Sequence, residues 1–400
     1  MAPLGLIVSP AVSEVHRAPR RVLPVIVLAQ LLGTAPWFAV NAVMPDLQRA
    51  HGWAPEAVGS LTSALQLGFI AGTLVFALLA LADRVSARLV FLACALAAAG
   101  CTVAAAAAAP SFSTVLMWRV LTGFFLAGIY PVGMKLAAQW FPRGLGNALG
   151  WLVGALVLGS ASPHALRALG VGWDWTAVFH GVALMCAAGG VAVMALVPEP
   201  HHLGAPAPGL RLAALARAWA DRRLRASVLG YFGHMWELYT MWVLLPLVLA
   251  LRLDDGNAVS WAAFLVMGAG ALGCIGGGLV ARRFGSARVA GVQLAASGLC
   301  CLLAPWAVAA PMQGFMLWLL VWGISVAGDS PQFSALTASN APAGAVGSVL
   351  TLVNCIGFAI SVLSIELFVG LVGTQPLPAL LPWLAIGPLV GLWALRPLLR

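Results

Sequence analysis

Apolar runs of roughly 20 residues, parted by short polar or proline-rich breaks, follow one another from near residue 20 to the end of the chain. A helix of that length crosses the hydrocarbon core of a bilayer. The pattern predicts twelve spans. They centre near Leu32, Ile70, Ala98, Phe125, Leu156 and Leu184 in the first half, and near Tyr239, Ala271, Leu299, Trp322, Ile360 and Ala385 in the second. The first run, residues 22–44, is of spanning length and is followed by many more, so it reads as a membrane helix and not as a cleaved signal.

Part of this pattern is written twice. Gly123, Ala127, Gly128 and Pro131 recur as Gly323, Ala327, Gly328 and Pro331, at a constant offset of 200 residues. The register continues through Leu136/Leu336, Ala138/Ala338, Pro142/Pro342 and Gly144/Gly344, and reappears at Gly33/Gly233, Gly68/Gly268 and Arg88/Arg288. Matched segments keep the same direction across the membrane, which makes the halves parallel repeats about an axis along the membrane normal. The expected fold is an all-α membrane protein, two parallel-related six-helix bundles around a central cavity. Its expected parts are a tail over residues 1–20, a bundle over 21–197, a linker over 198–225 and a bundle over 226–400.

Composition removes the soluble alternative. With 62% hydrophobic and 8% charged residues, the chain lies far from the roughly 45–50% and 25% of soluble domains. The seven cysteines fall inside apolar runs without metal-type spacing and read as packing residues. A net charge of +9 suggests nucleic acid only in a soluble domain; here its distribution matters more. Sixteen of the twenty-one basic residues fall on the side of the N-terminus, whereas Arg49, Arg167 and Arg252 fall on the other and Arg119 and Lys135 lie within a span. The positive-inside rule then puts both termini in the cytoplasm and requires an even number of spans. In the linker, Leu212, Leu215 and Trp219 have the spacing of a short helix on the membrane surface, a solvated linker being the other reading. His201 and His202 lack a third ligand, so neither a metal nor another cofactor is expected.

The chain resembles the major facilitator superfamily of secondary transporters over essentially its whole length. That family carries Gly-x-Leu-x-Asp-Arg-x-Gly-Arg-Arg after its second span. Here Asp83, Arg84 and Arg88 match, while Leu79 and Ser86 replace the glycines; the second-half loop keeps Gly277, Leu279 and Arg282 but has Ala281 for the acid. The resemblance implies that Asp83, Arg84, Arg88 and Arg282 help latch the halves together on the inner side. Arg119, four residues before Gly123, is similar to the family's fourth-span motif. The Gly-Pro antiporter signature of the fifth span is missing: Gly150, Gly154 and Gly159 are present, but Pro163 follows Ser162.

A charge at mid-membrane costs roughly 2.5–3.5 kcal/mol on insertion scales, so each one requires a partner or a task. Arg119 stays protonated and must face a cavity, an acid or an anionic solute. Lys135 is near enough to its helix end to snorkel. On the seventh span Tyr231, His234 and Glu237 follow at three-residue steps along one side. A carboxyl there binds or releases a proton as its surroundings change. Asp329 replaces Ile129 of the repeat, and Pro331 predicts a bend beside it, with Gln332 alongside. Expected solute-binding residues are thus Arg119, Tyr231, His234, Glu237, Trp37, Asn41, Asp329 and Gln332, with Glu237, Asp329 and His234 as proton carriers. Gln30, Gln66, Ser160, Ser162, His180 and Asn354 are weaker polar candidates, since an isolated polar residue of this sort more often serves helix–helix contact, and Glu366 is a gate or interface candidate.

The leading expectation is a monomeric secondary transporter in the cell inner membrane. It moves a small organic solute, an anion, together with protons by alternating access. An exporter of amphipathic or cationic compounds is the alternative, and a receptor on a transporter fold is the second. No motif for an enzyme is present.

Overall fold

The computed structural model describes residues 19–141, 145–199, 219–342 and 344–399. Outside the described residues lie the tail over 1–18, residues 142–144 of the repeat, and residues 200–218, where the surface helix, His201 and His202 fall; the side chain of Asp83 is not described either.

The described chain forms helical rods and no strand. In order these are α1 (Val22–His51), α2 (Ala57–Leu78), α3 (Ala87–Ala107), α4 (Phe112–Trp140), α5 (Ala148–Leu169), α6 (Thr176–Leu196), α7 (Arg222–Ala250), α8 (Gly256–Phe284), α9 (Ser286–Ala309), α10 (Met312–Asn340), α11 (Val346–Val372) and α12 (Leu377–Leu399). Each predicted centre falls inside its rod. All but α7 are long and apolar enough to cross a membrane, so this is a multi-pass membrane protein. The exception, α7, is 29 residues long and has His234 and Glu237 in its middle. Side chains such as Leu184, Leu272 and Trp306 are two-thirds or more exposed, as lipid-facing residues are.

Packing repeats with the sequence. In the first set α2 lies on α4, α3 on α6, and α1 on α5 and α6; in the second α8 lies on α10, α9 on α12, and α7 on α11 and α12. The duplicated glycine has the same task in both sets. A Cβ on Gly123 would stand 1.9 Å from the Leu65 carbonyl oxygen, and one on Gly323 would stand 2.1 Å from that of Val266. Only a bare Cα allows backbones to approach so closely. The two bundles meet where α5 crosses α8 and where α2 crosses α11.

Four of the described rods are interrupted where proline removes a backbone donor, α12 among them with a 3₁₀ turn, Leu381–Ala385, that contains Pro382. In α1 a 3₁₀ turn, Ala35–Phe38, contains Pro36. In α4 the α-helix lapses between Leu126 and Tyr130, before Pro131. In α10 it lapses at Asp329, before Pro331, which is the bend read from the sequence. Below, the ends of the rods nearer the chain termini are called the terminal side and the opposite ends the far side.

Candidate functional site

The break in α1 leaves carbonyls that its own helix does not use, and α4 supplies their donors. Arg119, fully buried, donates from Nη1 to the Pro36 carbonyl at 2.9 Å and from Nη2 to that of Trp37 at 2.7 Å. Its Nε finds no partner among the described residues, and none of its contacts is an acid. The guanidinium therefore splices a broken helix while keeping its charge uncompensated. It does not touch His234, Glu237 or Asp329, which interact within the other half.

The equivalent helix pair, α7 with α10, is built around acids. His234 Nδ1 lies 2.7 Å from Asp329 Oδ1, both side chains being at most 1% exposed. His234 Nε2 and Asp329 Oδ2 have no hydrogen-bond partner among the described residues. One turn further along α7, Glu237 accepts from Trp322 Nε1 at 2.6 Å, Ser297 Oγ at 2.9 Å and Cys301 Sγ at 3.2 Å. Those donors come from α9 and α10, so one carboxylate ties three helices together. None of the three stands out in the sequence, because their spacing says nothing until α9 and α10 are brought beside α7. Cys301 also corrects the reading of the cysteines as packing alone: it is buried and in no disulfide among the described residues, but its thiol has a specific acceptor.

The offset of the repeat explains the contrast. On the α1–α4 side, Ile129 packs into the notch left by Gly33, where a Cβ would stand 2.7 Å from its Cγ2. On the α7–α10 side, the matching position is Asp329 and its neighbour is His234. One copy has an apolar knob in a glycine notch; the other has an acid against an imidazole.

Between the bundles, at mid-depth, aromatic rings close the centre. Trp37 and Phe38 of α1, Phe69 of α2, Tyr239 and Trp242 of α7, and Phe358 of α11 are all buried. Ring centroids are 4.8 Å apart for Phe69 and Phe358, 5.0 Å for Trp37 and Phe69, and 5.6 Å for Phe38 and Trp242. Trp37 thus belongs to a septum between the halves. On its terminal side a cavity of about 30 Å³ is lined by Tyr130, Tyr231, Ser334 and Asn354, with Tyr231 donating to Asn354 Oδ1 at 2.6 Å. On its far side lies an open cleft of about 440 Å³, lined by the ends of α1, α5, α7 and α8. Asn41 reaches this cleft while bonded to Thr62 at 3.1 Å.

His164, which sequence reading passed over, also lines the cleft; it is 2% exposed and its Nε2 has no partner among the described residues. Pro163 beside it cannot bond to the Gly159 carbonyl, and Ser162 Oγ does so instead at 2.7 Å. The signal available was that Pro-His pair within an apolar span.

The remaining candidates are scattered. Gln332 is buried one turn beyond Asp329. Gln30 and Gln66 are fully buried, and neither amide finds a partner among the described residues, which is unlike helix–helix glue. His180 and Glu366 are exposed. Of the residues expected to latch the halves, Arg88 is held within its own half, by Glu199 Oε2 at 2.6 Å and the Val197 carbonyl at 2.6 Å. The reason is that α3 packs on α6, which brings the start of one to the end of the other. Arg84 and Arg282 are exposed. Lys135 Nζ donates to the Ala82 carbonyl, so the end of α4 is tied to the loop after α2.

Toward the terminal side α5 and α8 cross closely. A Cβ on Gly154 would stand 3.1 Å from Ile275, and one on Gly150 would stand 3.5 Å from the Cys274 carbonyl oxygen. The bundles are close together there and apart at the far-side cleft.

A family model described as Major Facilitator Superfamily matches residues 26–365. No curated protein matches the sequence.

Proposed function

The chain belongs to the Major Facilitator Superfamily of secondary transporters, and from that premise we propose that it moves a small organic solute bearing an anionic group, coupled to protons, by alternating access. The observation that carries this reading is the buried His234–Asp329 contact, with Glu237 one turn away. These groups sit in a low-dielectric interior without a fixed cation beside them, so the charge of this half depends on protons. Each acid connects α7 to α10, so a change in protonation alters how those helices are held. Arg119 supports the preference for an anionic group, because its charge has carbonyls but no acid beside it.

The distribution of arginines supports cytoplasmic termini and a cell inner membrane location. A single copy contains both halves of the site, which supports a working monomer.

Proteoliposome flux tests the coupling. An imposed pH gradient is expected to drive accumulation by the native chain. Asp329→Asn and Glu237→Gln are each expected to lose gradient-driven uptake while retaining counterflow exchange. Uptake that ignores the gradient, or that responds to it equally in both variants, overturns proton coupling through these acids.

A further inference from the structure

The far-side cleft has two chemically opposite walls. On the α1–α5 wall, Asp46 accepts Arg167 in a two-point contact, Nε at 2.8 Å and Nη2 at 3.0 Å, and also takes Arg49 Nη2 at 2.5 Å. Two guanidinium groups on one carboxylate leave an excess positive charge there. Guanidinium N–H groups beyond those that Asp46 uses remain to donate. His164 sits on the same wall, buried, with Nε2 unpartnered.

The facing wall, from the turn after α7 into α8, supplies acceptors. Asp255 is committed to capping α8, accepting from the amides of Asn257 and Ala258 at 3.1 Å each. Asp254 is exposed and forms no ion pair among the described residues, and Asn257 Oδ1 is buried without a partner. Both line the cleft. Unpartnered buried polar atoms are costly unless a ligand or water completes them, and here the residues that carry them, His164 and Asn257, line one opening.

We propose that this cleft binds a small zwitterion, its carboxylate received by His164 and Arg167 and its ammonium by Asp254 and Asn257. The inference deepens the transport reading and rests on it. The two walls belong to different bundles, so one solute molecule bridges the halves that must close around it. A solute with only one charge satisfies only one wall.

Equilibrium binding to the purified full-length chain, without any gradient, tests this. The probes are the twenty standard amino acids together with their deaminated acids and decarboxylated amines. At least one amino acid is expected to bind tenfold or more tightly than both of its counterparts, since a hydrogen bond to a charged group contributes about 1.5–3 kcal/mol, or roughly ten- to a hundredfold. Asp254→Asn is expected to reduce its affinity about tenfold, toward that of the matched acid, and His164→Gln to reduce it by a similar factor. Equal binding of an amino acid and its matched acid, no binding across the panel, or unchanged affinity in Asp254→Asn each overturns the proposal. Asp254 is exposed, so its variant decides the matter should His164→Gln fail to fold. Loss of proton coupling in the flux assay leaves this result standing, and failure here leaves proton-coupled transport of another solute standing.

Discussion

Replacing Arg119 by leucine, the residue its repeat carries at 319, strands the Pro36 and Trp37 carbonyls inside the protein. Each buried acceptor left without a donor costs about 1–3 kcal/mol. Arg119→Leu is therefore expected to lower the unfolding temperature in detergent clearly, and Arg119→Lys, which retains a donor but not the two-pronged fork, to lower it less. Equal unfolding temperatures for both variants and the native chain sink the idea that Arg119 splices α1. The same residue marks where sequence reading reaches its limit. That a mid-membrane arginine needs a partner was legible; that the partner is a pair of carbonyls was not, because a backbone acceptor has no letter of its own. Glu237 teaches the complementary lesson, since Ser297, Cys301 and Trp322 look like ordinary interior residues until packing brings them to one carboxylate.

Among the helices, the glycines divide into those that set distances and those that do not. A Cβ on Gly123 runs into the Leu65 carbonyl, and no side-chain rotation relieves a clash with backbone, whereas one on Gly100 meets nothing within 4 Å. Gly123→Ala and Gly323→Ala are thus expected to destabilise the fold or abolish expression. Gly100→Ala is expected to be neutral or to stabilise by up to about 1 kcal/mol, through better helix propensity. Thermal unfolding of purified variants separates the outcomes, and tolerance of alanine at Gly123 would rule out the close α2–α4 crossing. At this scale the sequence was most informative. Constant-offset glycines and prolines marked the duplication and Pro331 the break at Asp329, because repeat spacing and proline chemistry are local properties, whereas which backbones the glycines bring together was not legible.

For the molecule as a whole, the close α5–α8 crossing on the terminal side and the open cleft on the far side are two ends of one lever. A wedge at the crossing should tip it. Gly154→Phe cannot fit against Ile275, and it is expected to part the bundles at the terminal side and narrow the far-side cleft. Val171 lines that cleft and is 68% exposed, so Val171→Cys reports the change by its labelling rate with a membrane-impermeant maleimide. Labelling that does not slow in the Gly154→Phe background argues against the lever. Duplication and span count made the two-bundle plan legible, whereas the aromatic septum was not, since Phe69 and Phe358 meet only across the interface. The low hydropathy of α7 has a consequence for how the chain is made. As α7 emerges from the ribosome, Glu237 has none of its three donors, because α9 and α10 are not yet synthesised, and a carboxylate at mid-helix disfavours partition into lipid. The first helix of the second bundle is therefore expected to enter the bilayer less readily than its neighbours until α9 and α10 bring Ser297, Cys301 and Trp322 to Glu237. Glu237→Leu is expected to raise the insertion of α7 by itself in a glycosylation-mapping assay, and equal insertion of the two sequences overturns this.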